Sequence, residues 1–234
     1  MNKIDLMTLE GIPQTLIENL GNFLVNIPKT KIFDGILDEI PNNLLHPLNQ
    51  FCLDNLVWCY HYTRAIKTEI EENGLILRTG KEIRENFKLK YFDIFSVEER
   101  NIIQSEWDEY FKGSQMLRNN QIWFNLTTSE LGKNGSKYLN GLYGGEQVYK
   151  PLIYQNNIIE KLSKIGAPIL VKTLINPSRF RYVFFEPYGM IIASSLIRRK
   201  YPEFLQFDTD VSIDFNMPYS ELHIEELSEE YDLE

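Results

Sequence analysis

The chain has 234 residues, 43% of them hydrophobic and 13% aromatic, and carries 24 Lys and Arg against 33 Asp and Glu for a formal net charge of −9. That length and apolar content fit one domain, or one domain with a small appendage, and exclude wholesale disorder. No apolar run approaches the roughly 18 residues of a membrane span, and a chain-wide basic field for non-specific nucleic-acid binding is missing.

Residues 1–56 read as a helical N-terminal segment: Leu16–Val25, Ile32–Ile40 and Leu44–Leu56, punctuated by Pro13, Pro28, Pro41 and Pro47. From Leu56 the texture changes. Leu56–Thr63 is a run of β-branched and aromatic residues that predicts a strand, followed by a helix over Arg64–Asn73 that Gly74 closes. Leu75–Leu77 predicts a second short strand. Residues 80–118 are charged with interspersed aromatics, which predicts two amphipathic helices in an insertion, and their aromatic side chains are most simply core. Gln121–Thr127 predicts a third strand, and a polar glycine-rich stretch, Gly132–Gly145, follows. Val148–Ile165 reads as one helix, and Pro168–Ile175, Phe180–Phe185 and Val211–Phe215 as strands. Arg198–Lys200 ends a helix, where cations suit the dipole, and His223 falls in an acidic C-terminal helix leading into a frayed tail, 225–234. The expected fold class is α+β, a mixed or antiparallel sheet with flanking helices, its main domain spanning 57–224.

The charge is unevenly spread along that order. Residues 1–57 hold 3 basic and 7 acidic side chains, 225–234 hold 6 acidic and none basic, and 58–224 hold 21 basic and 20 acidic. The acidic excess is therefore terminal and says little against a phosphate-bearing ligand. Met1–Glu10 lacks a charged start followed by an apolar run, and Cys52 and Cys59 have no Cys or His partner at metal-ligand spacing. The expectation is a cytoplasmic protein with no metal site and no membrane partner.

The segment richest in chemistry is Tyr60-His61-Tyr62-Thr63. A strand histidine beside a threonine can present an imidazole and a hydroxyl to a ligand, and equally can be a half-buried histidine satisfied by the backbone. His46, beside Pro47, reads as a surface or packing residue.

The order of His61-Tyr62-Thr63 on a strand, a helix, Gly74-Leu75-Ile76, then Ile122-Trp123-Phe124-Asn125 and Ser136-Lys137-Tyr138 resembles the ADP-ribosyltransferase fold of the diphtheria-toxin and poly(ADP-ribose) polymerase type, over roughly residues 57–216. The resemblance implies an NAD-dependent enzyme that transfers ADP-ribose to a protein or nucleic-acid target. It implies that His61 and Thr63 hold the ribose, Tyr138 stacks on nicotinamide, and Trp123 occupies the position of the strand aromatic. Tyr62, Arg64 and Tyr143 fall among the implied NAD neighbours, with Arg64 and Arg78 positioned for the pyrophosphate.

Such chemistry needs a carboxylate beside an oxocarbenium-like ribose. Glu146, after Gly144-Gly145, and Asp210, opening the late strand where the family carries glutamate, are the alternatives. The resemblance also implies a bacterial or phage toxin or phage-defence effector, with an antitoxin or other partner protein. Two other readings stand beside it: an inactive binding module on the same fold, motivated by the missing late-strand glutamate and the acidic ends, and an RNA 2'-phosphotransferase-like enzyme, which wants several arginines where only Arg64 is near the motif.

Overall fold

A computed structural model describes residues 1–112, 119–183 and 186–228. In chain order its elements are β1 (Lys3–Ile4), α1 (Gln14–Val25), α2 (Lys29–Ile32), α3 (Ile36–Glu39), α4 (Asn42–Leu53), β2 (Leu56–Ala65), α5 (Lys67–Asn73), α6 (Gly80–Tyr91), α7 (Val97–Tyr110), β3 (Ile122–Asn125), α8 (Asn134–Gly141), α9 (Glu146–Tyr149), α10 (Asn156–Leu162), β4 (Ala167–Ile175), β5 (Tyr182–Val183), α11 (Tyr188–Lys200), β6 (Asp210–Ile213) and β7 (Leu222–Glu226). The protein is α+β. Its strands are ordered β5-β6-β3-β2-β4-β7 in an antiparallel sheet, and β1 pairs with β2 in parallel.

Several expected boundaries shift for physical reasons. The helix expected over Ile32–Ile40 is interrupted at Gly35, whose φ of 81° lies in the left-handed region, leaving α2 and α3. Pro47 does not end α4, which runs through it to Leu53. The single helix expected over Val148–Ile165 is three pieces, because Pro151 sits in a 3-10 turn over Lys150–Leu152 between α9 and α10. Leu75–Leu77 reduces to one isolated bridge, Leu75 to Met217. The glycine-rich stretch contains α8. His223 lies in β7, not in a helix, and the chain just after β7 is tied to β4 by Leu227 N donating to Pro168 O at 2.9 Å. Of the strand expected over Phe180–Phe185, Tyr182–Val183 is formed, and Phe184 and Phe185 lie outside the described residues, as do 113–118 of the insertion and 229–234 of the tail.

Contacts divide the chain into two compact units, residues 1–60 with 123–129 and 173–213, and residues 61–122 with 130–172 and 214–234. In the first, α4 and α11 pack closely enough that a Cβ on Gly189 would lie 3.0 Å from the Leu45 carbonyl oxygen, and Gly189 N donates to Asn49 Oδ1 at 2.6 Å. Ile17, Leu20, Leu48, Cys52, Ile191, Ile192 and Ile197 are buried in this unit.

In the second unit, α6 and α7 each begin with a capping box, Thr79 with Glu82 and Ser96 with Glu99, which satisfies backbone N–H groups at both helix starts. Their aromatics are core, as expected: Phe87, Phe95 and Trp107 pack with Leu142, Val148, Tyr149, Leu152 and Ile158. Trp107 Nε1 donates to Val148 O at 3.0 Å.

Gly74 closes α5 with φ 71°, and a Cβ there would meet the Met217 carbonyl oxygen at 2.1 Å. Gly74→Ala is expected to lower unfolding free energy by about 2 kcal/mol or more. Gly135, inside α8 with open space around it, predicts the opposite sign: Gly135→Ala raises stability by about 0.5–1 kcal/mol. Denaturant melts of both variants check this, and a Gly74→Ala protein as stable as wild type contradicts it.

Candidate functional site

Side chains alternate across a strand, so a strand covered on one face buries every second residue. β2 departs from that pattern. Val57 and Cys59 are buried, then Tyr60, Tyr62 and Arg64, so the covered face changes between Cys59 and Tyr60. His61 and Thr63 consequently lie half-exposed on one face while Tyr62 and Arg64 are buried on the other. The imidazole and the hydroxyl are thus two residues apart on the same strand face.

The arginine on the covered face is an anchor. Arg64 Nε donates to Ile165 O at 2.9 Å and Nη2 to Gly166 O at 3.0 Å. Gly166 must be glycine, since it has φ 65° and a Cβ there would sit 2.4 Å from Ala65 O. Arg64 also forms a parallel bridge with Tyr143. That bridge brings the segment Tyr143-Gly144-Gly145-Glu146 to the end of the strand that carries His61 and Thr63. Both glycines of the turn have positive φ, 88° and 64°, which lets the chain reverse into α9. Glu146 is the first residue of α9, and its carboxylate meets Lys150 Nζ at 3.4 Å.

Tyr143 packs edge-on against Tyr91 with ring centroids 4.8 Å apart, and burial pushes its phenol above the usual tyrosine range. Tyr138, on α8, stacks against Tyr149 at 6.1 Å and rests on the edge of the apolar core. His61, Tyr62, Thr63, Arg64, Tyr138, Tyr143 and Glu146 all belong to one compact unit, whereas Trp123 and Asp210 belong to the other. Trp123 is half-buried on β3. Asp210 is exposed at the start of β6 and accepts a hydrogen bond from Asn125 Nδ2 at 3.1 Å.

The unit that holds Asp210 also contains an acid that sequence reasoning missed. Asp208 Oδ1 accepts from Leu126 N at 3.1 Å and Thr209 N at 2.8 Å, and Oδ2 from Thr127 N at 3.3 Å and Thr127 Oγ1 at 2.8 Å. Thr127 Oγ1 lies 2.9 Å from Ser129 Oγ. Burial pushes Asp208 up to about 7, against the pull of those hydrogen bonds. The Asp208 charge in turn raises the buried Cys59 thiol, already raised by its own desolvation. Tyr60, next along β2, donates to Asp5 Oδ2 at 3.1 Å. The only local signal for Asp208 is an Asp-Thr-Asp run before a strand. Its surroundings come from Leu126–Ser129, some 80 residues away in the chain, as the separations of its hydrogen bonds record.

Among the described residues no group of three or more His, Cys, Asp or Glu side chains is arranged to hold a metal ion, and no helix is long and apolar enough to cross a membrane. The chain matches no family model, no curated protein and no solved structure.

Because the Asp208 carboxyl titrates higher in the fold than its unfolded value of 3.8, its contribution is full below pH 4 and is lost as pH rises through 7. The acids held below their usual range, Glu82, Glu99, Glu160 and Glu203, act in the opposite direction but at lower pH. Thermal melts between pH 5 and 8 are therefore expected to show a falling melting temperature in wild type and a flatter profile in Asp208→Asn. An unchanged slope in the variant contradicts this assignment.

Proposed function

We propose that the protein is an NAD-dependent ADP-ribosyltransferase that modifies a macromolecular target, protein or nucleic acid. The observation that carries the reading is the bridge between Arg64 and Tyr143, which sets the Gly144-Gly145-Glu146 turn at the end of the strand bearing His61 and Thr63. On this reading His61 and Thr63 hold the ribose hydroxyls, Tyr138 supplies an aromatic face for the cationic nicotinamide, and Glu146 stabilises the oxocarbenium-like state. Stabilising that charge only as it develops lowers the barrier to breaking the bond between ribose and nicotinamide. The leaving group is neutral nicotinamide, and a nucleophile of the target takes its place on the ribose.

Asp210 has its own support as the carboxylate: it opens β6, it is exposed, and Asn125 orients it. Arg64 counts against RNA 2'-phosphotransfer, because its buried guanidinium is directed at two backbone carbonyls. A role as a toxin or phage-defence effector in the cytoplasm, neutralised by an antitoxin or other partner protein, completes the proposal.

Release of nicotinamide from NAD tests it. Wild type is expected to consume NAD, and His61→Ala and Glu146→Gln to lose about 100-fold or more in rate while melting normally. If Asp210→Asn shows the loss and Glu146→Gln does not, the carboxylate is Asp210. Wild-type protein that neither binds nor consumes NAD sinks the enzyme reading and leaves an inactive binding module.

A further inference from the structure

We infer that the groove between α4 and α11 binds a primary ammonium that carries a hydrogen-bond acceptor and a short apolar arm, the chemistry shared by an amino-acid amide and the first residue of a peptide. The groove has a volume of about 340 Å³ and is lined by Asn42, Leu45, His46, Asn49, Glu186 and Met190. All six belong to the compact unit formed by residues 1–60, 123–129 and 173–213. None of them has a part in the NAD reading, so this inference stands or falls separately from it.

The sequence builds one wall of the groove as a helix stripe. Asn42, Leu45, His46 and Asn49 follow the three- and four-residue spacing that keeps side chains on one face of α4. Met190, in the first turn of α11, supplies the facing wall, and Glu186 lies just before that helix. Gly189 sets how closely the helices approach. A Cβ there would lie 3.0 Å from the Leu45 carbonyl oxygen and 3.2 Å from Asn49 Oδ1.

Three polar groups of the groove are left without partners. Asn49 is 9% exposed, and Gly189 N donates to its Oδ1 at 2.6 Å. That bond fixes which end of the amide faces the α11 backbone, and it leaves the Nδ2 donors with no acceptor among the described residues. The Glu186 carboxylate and the His46 imidazole likewise make no hydrogen bond or ion pair among the described residues.

Charge decides the sign of the ligand. The N-terminus of a helix such as α11 carries about half a positive charge and by itself favours an anion. Glu186 sets a full negative charge beside it, and no Lys or Arg lines the groove. The balance is negative and selects a cation. An ammonium has three hydrogens to donate, which the Glu186 carboxylate and the unprotonated nitrogen of His46 accept. Asn49 Nδ2 donates in turn to a carbonyl on the ligand, and Leu45 and Met190 cover an alkyl arm. Ligand pockets start at roughly 300 Å³, so this one suits a group of amino-acid size.

Calorimetry with leucinamide, the tripeptide amide Leu-Gly-Gly-NH2 and N-acetyl-leucinamide tests the site. Wild type is expected to bind the first two and to bind the acetylated probe, which has no ammonium, about tenfold or more weakly. Glu186→Gln is expected to weaken the ammonium probes by a similar factor, Met190→Lys to abolish their binding, and Glu18→Gln on α1 to leave it unchanged. A tripeptide that binds no tighter than leucinamide assigns the groove to a free amino-acid derivative, and a tighter one assigns it to a peptide N-terminus.

Glu186 is exposed and makes no hydrogen bond or ion pair among the described residues, so Glu186→Gln remains informative if Met190→Lys does not fold. No binding of either ammonium probe by wild type, equal binding of the acetylated probe, or affinity unchanged in Glu186→Gln overturns the inference. Binding that depends on Glu186 in a protein that does not consume NAD keeps the groove and removes the enzyme reading.

Discussion

The change of covered face along β2 is the constraint on which the rest depends. A strand that kept one buried face would have placed His61 and Thr63 in line with Val57 and Cys59, inside the apolar core. Burial of the consecutive residues Cys59 and Tyr60 moves the core to the other face, and the two polar side chains emerge half-exposed. Tyr62 and Arg64 take the buried positions instead. Burying an arginine is costly unless its donors are satisfied, and the carbonyls of Ile165 and Gly166 meet that need.

Glycines then fix what lies near the end of that strand. Gly166 allows the backbone to approach Ala65, and Gly144 and Gly145 allow the chain beyond the Arg64–Tyr143 bridge to turn into α9. Gly80 has the corresponding role for Gln147 and Arg84. A polar strand face and a carboxylate at a helix start are therefore held by backbone geometry within one unit, whose aromatic core comes largely from the insertion.

Much of this order was legible in the chain. β2 and β4 follow from β-branched and aromatic runs, the insertion helices from aromatics spaced among charged residues, and the capping pairs Thr79/Glu82 and Ser96/Glu99 are written in the sequence at the expected spacing. The polar pair His61 and Thr63 was legible for the same reason, as two exceptions in an aromatic strand. β7 was not, because its acidic composition suits a helix end and its strand conformation depends on β4, where Lys172 meets Glu225 at 2.6 Å. The environment of Asp208 was not legible either. Its shift comes from desolvation against a loop distant in the chain, and no local pattern records that. The direction of Arg84 was not legible, since it is set by the amide of Gln147, 63 residues later in the chain.

The central claim is that the half-exposed face of β2 with His61 and Thr63 is where a dinucleotide is recognised. A crystal structure of the protein with a non-hydrolysable NAD analogue tests that claim most directly. The nicotinamide ribose is expected within hydrogen-bond distance of His61 and Thr63, with the Glu146 carboxylate beside the ribose carbon that bears nicotinamide. An analogue bound elsewhere, or absent at saturating concentration, contradicts it.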